Sequence, residues 1–104
     1  MAKTAFEIRM DYEKTIQEAA RLDEIADELS SSVSGALSDS ISGIQTAWKG
    51  DNANAYIKKC ELLKTNIDKT VKKLRETANV IRKIAKTTYD AEMRVLELAR
   101  IRSY

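Results

Sequence analysis

Apolar and small residues recur along the first half of the chain at Ile8, Tyr12, Ile16, Ala19, Leu22, Ala26, Leu29, Val33 and Ala36. Every step is three or four residues, which places them on one stripe of a helix. Acidic residues dominate between the stripe positions. Ahead of the stripe, Thr4-Ala5-Phe6-Glu7 has the form of a capping box, with Thr4 at N-cap and Glu7 at N3. The pattern predicts a first helix over about residues 4–45. A second series runs through Ala53, Tyr56, Cys60, Leu63, Ile67, Val71, Leu74, Ala78, Ile81, Ala85, Thr88, Ala91, Val95 and Leu98. Its steps are again three or four, a heptad-like seam of roughly six repeats. It predicts a second helix over about residues 52–102, about 75 Å long at 1.5 Å per residue.

Residues 30–43, SSSVSGALSDSISG, are the weak part of the first helix. Relative to alanine, their serines and glycines cost a helix about 5 kcal/mol in propensity. A flexible linker is one reading. The other is a helix held by tertiary packing, because Val33, Leu37, Ile41 and Ile44 keep helical spacing. Small side chains there would also let a partner helix approach closely.

Between the two series lies AWKGDNANAY, residues 47–56, with the chain's one Trp and a cluster of turn formers. Gly50 suits the C′ position of a helix end, and Asp51 or Asn52 can cap the next helix. The chain thus reads as an all-α, antiparallel helix-turn-helix hairpin, one domain over residues 1–104, bent at 46–51. Charge fits that pairing. Residues 1–50 carry five Lys/Arg against nine Asp/Glu, a net of −4, and residues 51–104 carry thirteen against seven, a net of +6. Two helices bury their apolar stripes only partly, so the remedy expected is a dimer forming a four-helix bundle. Leu22, Leu29, Leu63, Ile67 and Leu74 are its expected seam. Trp48 and the seam residue Tyr56 are expected to pack across the bend and close the core's end.

Composition narrows the chemistry. There is no Pro, no His and a single Cys, which excludes a His/Cys zinc site and an internal disulfide. Cys60 sits on the second seam, where a small core residue is the reading preferred over a nucleophile, for want of a His to activate it. Lys58–Lys86 holds ten positive residues against three acids. Nucleic acid is one partner for such a run, but it has few aromatics for stacking, so a solvated or internally paired face is preferred. No phosphate loop, nucleophile–base pair or metal cluster is present, so neither an enzyme nor a cofactor is expected. Apolar runs are too interrupted to span a bilayer, and the N-terminus lacks the apolar core of a Sec signal peptide. Synthesis in the cytoplasm follows, with any export by another route.

A hundred-residue helical hairpin with Trp48-Lys49-Gly50 near mid-chain and Tyr56 eight residues on resembles the small WXG-motif proteins of type VII secretion, the ESAT-like family. The resemblance spans about residues 5–95. It implies a bacterial protein, exported as a folded dimer through a channel powered by an FtsK/SpoIIIE-type ATPase. The partner implied is the chain itself or a related WXG-type chain, and in some cases a larger toxin with a similar helical domain. The family's export signal is usually a Tyr followed four positions later by an acid. Here Tyr89 is followed by Met93 at that position, and the acid falls at Glu92. Tyr89 and Glu92 are therefore either a divergent signal or ordinary helix residues, with the signal on a partner. The alternative function is a cytoplasmic helical adaptor that is not secreted.

Overall fold

The computed structural model describes residues 3–102; the outermost residues of the expected 1–104 domain lie outside that range. The first arm is α1 (Ala5–Glu28), a π-helical turn (Leu29–Ser34) and α2 (Gly35–Ala47), which follow one another without a break. The second arm is the single helix α3 (Asp51–Arg102). The fold is an all-α helix-turn-helix, with no strand among the described residues. Thr4 caps α1 as the sequence predicts. Its Oγ1 accepts the Glu7 N–H at 3.1 Å and its hydroxyl lies 3.3 Å from Glu7 Oε1.

Packing divides the chain into two units. One, the bend unit, is Asp23–Arg75; the other, the end unit, comprises the chain up to Leu22 and from Glu76 onward. Both arms contribute to each. In the bend unit Asp27 pairs with Arg75, Ser34 with Asp68 and the Trp48 ring with Tyr56. The first index rises as the second falls, which is antiparallel pairing. In the end unit Lys3 pairs with Glu92 and the Tyr12 ring meets Tyr89, again antiparallel.

The interior is thin. Ala26, Ser34, Ile41, Ala53, Ile57 and Val71 are buried in the bend unit, and Ile8, Ala19, Ala78 and Ala85 in the end unit. The residues with no exposure at all are Ala19, Ala26 and Ala78, and no large side chain among the described residues is fully buried. Where both arms present alanine, backbones can approach closely, but little apolar volume is enclosed.

The serine-rich segment is helical, yet its register differs from the sequence expectation. Val33, placed on the stripe by its spacing, is 40% exposed, and Ala36 is exposed too. Ser34 is buried instead. The cause is the π turn, which adds a residue to the helical repeat at this point. On α3 the seam also differs by one position at five sites, three of them late in the helix, where Thr88, Ala91 and Val95 are exposed and Tyr89, Glu92 and Leu96 are half-buried. Tyr56 and Leu63 are exposed, while their neighbours Ile57 and Lys64 lie buried and half-buried. The predicted series had merged two adjacent faces of α3, one turned to the first arm and one turned away from it.

Charge pairing between the arms is present. Arg75 of the basic helix meets Asp27 of the acidic arm at 2.8 Å. Lys64–Asp68, Arg21–Glu18, Lys86–Asp90 and Arg100–Glu97 are pairs within a helix. Exposed pairs are weak, so the Arg75–Asp27 pair between the arms biases their pairing more than it stabilises it.

Candidate functional site

The bend is short. α2 ends at Ala47, and Trp48 is already extended, at φ −134° and ψ 127°. Its N–H still donates to the Ile44 carbonyl at 2.8 Å, so the helical ladder reaches the tryptophan before the chain leaves it. Gly50 has φ +121°, in the region that side-chain-bearing residues avoid. A Cβ there would meet nothing within 4 Å; the need for glycine is conformational, not steric. The expected role of Gly50 as the C′ residue of the first arm is not the one seen. Its carbonyl accepts the Asn54 N–H at 3.0 Å, which puts Gly50 at the N-cap of α3. Asp51 follows within the first turn, where its charge complements the helix dipole.

Trp48 does not close the end of the interior. It is 50% exposed, and Tyr56 is 55% exposed. The two rings lie 6.5 Å apart, tilted by 53°, a geometry that favours aromatic contact. The bend therefore displays a paired indole and phenol on its surface. Beyond Tyr56, Leu62 and Leu63 are exposed on α3, and Ile25 and Val33 on the first arm. Of the expected seam residues, Leu22, Leu29, Ile67 and Leu74 are half-buried, and Leu63 is 51% exposed. Cys60 is a half-buried free thiol.

The end unit holds the candidate export residues. Tyr89 is half-buried against Tyr12, with ring centroids 5.1 Å apart. The Glu92 carboxylate faces Lys3, whose Nζ is 3.2 Å from Oε2 and 3.3 Å from Oε1. Lys3 also reaches Asp11 at 2.9 Å. These two carboxylates, Asp11 first, hold the Lys3 ammonium above the usual lysine range. Glu92 Oε2 is buried and accepts no well-aligned hydrogen bond, so the lysine balances it chiefly as a charge. Tyr89 and Glu92 are thus both engaged within the chain, by different partners. Beside them runs an apolar groove of about 340 Å³ between Lys3, Ile8, Val95, Leu96 and Ala99. Phe6, Val80, Ile84, Val95, Leu98 and Ile101 are exposed in this unit.

Sequence reasoning missed the Ser34–Asp68–Lys64 cluster. Ser34 Oγ donates to Asp68 Oδ1 at 2.8 Å, and Lys64 Nζ to Oδ2 at 3.1 Å. These bonds, the serine's first, lower the Asp68 pKa below the usual carboxylate value. The signal that could have found the cluster is an arithmetic one. Steps of seven from Ala26 reach Val33 and Ser40 and bypass Ile41, so a helix meant to bury Ile41 must gain a residue on the way.

No helix among the described residues is long and apolar enough to cross a membrane. Comparison with curated proteins and with solved structures finds no match. Comparison with family models gives one over residues 7–93, described as proteins of 100 residues with WXG, a span that includes the bend and most of both arms. The chain belongs to the WXG100 family and is a small helical protein associated with type VII secretion.

Proposed function

We propose that this protein is a dimeric substrate or targeting partner of a bacterial type VII secretion system, acting by protein–protein contact. The observation that carries the reading is the apolar surface left outside the hairpin. Apolar side chains stand open in both units: Leu62 and Leu63 in one, and Ile84, Val95 and Leu98 in the other, are each at least half exposed. Surface of this kind marks a protein contact. A second hairpin, of this chain or of a related WXG-type chain, offers the complementary stripe and gives a four-helix bundle. A larger toxin carrying such a helical domain would be bound in the same way.

Export is the second half of the proposal. Trp48 and Tyr56 are exposed at the bend, where an FtsK/SpoIIIE-type secretion ATPase or another component of the channel can read them. Tyr89 and Glu92 lie one turn apart on α3, so a receptor that reads a ring and a carboxylate on one helical face can use them. Their engagement by Tyr12 and Lys3 favours export shared with a partner's tail over export by this chain alone. The protein is then made in the cytoplasm and found outside the cell.

Sedimentation at micromolar concentration tests assembly, and the expected species is a dimer. A folded monomer in the presence of the neighbouring gene products would exclude both homodimer and heterodimer. Export is tested by replacing Tyr89 and Glu92 with Ala, singly and together, and comparing culture medium with lysate. Loss of export from a folded double mutant is the expected result; unchanged export would place the signal on the partner.

A further inference from the structure

Within the bend unit the first arm changes phase once. On a helix paired with another, seven residues make two turns, so positions seven apart meet the partner alike. α3 keeps that rule: Ile57, Lys64 and Val71 are seven apart and lie buried or half-buried. The first arm does not. From Ala26, at 0% exposure, the rule leads to Val33 and Ser40, but the buried residues are Ser34 and Ile41. The shift is one residue, and it falls within the π turn Leu29–Ser34. A π turn closes its hydrogen bonds one residue further along than an α turn, and so takes up one residue without ending the helix.

The shift has a chemical counterpart on α3. Lys64 occupies a central seam position between Ile57 and Val71, where an apolar residue would be expected. Its charge is met by Asp68 one turn on, and Asp68 is held in turn by the Ser34 hydroxyl from the other arm. Ser34 is 5% exposed. Were the first arm straight, the valine before it would stand at this level and the carboxylate would lose its partner across the interface. Polar groups inside an apolar seam suit one register and oppose the others. Ile41 and the tryptophan follow Ser34 at seven and fourteen residues. The phase set at Ser34 therefore passes along α2 to Trp48, whose N–H remains in the helical ladder.

We propose that the π turn and the Ser34–Asp68–Lys64 cluster form a register lock. The turn absorbs one surplus residue of the serine run, and the cluster fixes the level on α3 at which it is absorbed. The lock brings Ile41 into the seam, turns Val33 outward and sets the face from which Trp48 leaves the helix.

Single-residue deletions in the full chain test it. Removing Ser32 leaves Ser34 seven residues after Ala26, so a straight α-helix then satisfies every buried position. That variant is expected to keep its helix content and a Tm within about 4 °C of the parent. Deletion of the exposed Lys73, between Val71 and Ala78 on the regular helix, puts those residues out of phase and should lower Tm by at least twice as much. Equal effects of the two deletions, or a Ser32 deletion that does not fold, would overturn the proposal. The cluster has its own readout, the NMR titration of the Asp68 carboxyl in Ser34→Ala. A rise toward the ordinary carboxylate value is expected, and an unchanged titration would remove Ser34 from the lock.

Discussion

The bend unit and the end unit hold the same two arms together by different means. Each places one ionisable residue of α3 at a seam position in step with its buried neighbours: Lys64 after Ile57, and Glu92 after Ala85. In the bend unit the balancing groups sit within helical segments. Asp68 is one turn away on α3, and Ser34 reaches it from the π turn. In the end unit the balancing group is Lys3, which precedes α1 and is not helical. A partner held by helix on both sides is ordered by the fold itself. A partner ahead of the first helical turn has no helical ladder of its own and depends more on the ion pairs it makes. The apolar residues differ in the same sense. Besides two alanines the bend unit buries Ile41, Ile57 and Val71, whereas the end unit buries three alanines and Ile8 and leaves its tyrosine pair half-buried.

Truncation of the larger buried residues should separate the units most. Ile41→Ala and Ile57→Ala are expected to cost about 2–5 kcal/mol, toward the lower end because neither side chain is wholly enclosed. Ile8→Ala should cost less, since its site lies in the first turns of α1. Chemical denaturation of the three variants checks the order. A larger loss at Ile8 would reverse the contrast.

Next in size is the bend. A fully buried indole lost to alanine costs about 3–5 kcal/mol, and Trp48 is half exposed, so Trp48→Ala is expected to cost about half of that. Export or partner binding should fall much further than the melt implies. A melt and a secretion assay on one preparation measure both, and normal export with a lowered melt would reduce the motif to a structural one.

The tyrosine pair of the end unit should matter less. Tyr12→Leu keeps the apolar bulk and removes the ring–ring contact, worth about 0.5–1.5 kcal/mol. It also frees one face of Tyr89. If Tyr89 serves export, the variant should be exported at least as well as the parent, while Tyr89→Leu should not.

Titration gives the smallest effects and separates the units by sign. The Asp68 pKa is lowered in the folded protein by Ser34 and then Lys64. Its contribution is complete above the ordinary carboxylate value and is lost as pH falls through the lowered one. The Lys3 pKa is raised by Asp11 and then Glu92. Its contribution is complete below the ordinary lysine value and is lost as pH rises through the raised one. Ser34→Ala should therefore flatten the acid limb of a Tm–pH curve, and Lys3→Met the alkaline limb. Both groups are open to solvent, so salt should shrink both limbs. A change on the alkaline limb in Ser34→Ala, or an unchanged alkaline limb in Lys3→Met, would contradict the assignment.

Helix content, the cap at Thr4, the position of the bend and its Trp-Lys-Gly motif followed from the sequence by itself. Each depends on residues within a few positions of one another: a threonine three before a glutamate, apolar steps of three and four, a glycine among turn formers. The antiparallel pairing was legible too, because the charges of the two halves differ in sign. The sequence did not tell which of two adjacent apolar faces of α3 turns to the first arm. Tyr56 and Ile57 both satisfy helical spacing, and only the second arm's orientation makes Ile57 the buried one. Nor did local pattern separate Val33 from Ser34, because propensity and hydropathy both favour the valine inside. Tertiary structure decided for the serine, since a π turn that buries Ile41 and a carboxylate that needs a donor outweigh one exposed valine. Likewise the engagement of Tyr89 by Tyr12, 77 residues away along the chain, and of Glu92 by Lys3, arises where the two arms meet, and no short stretch of sequence encodes it.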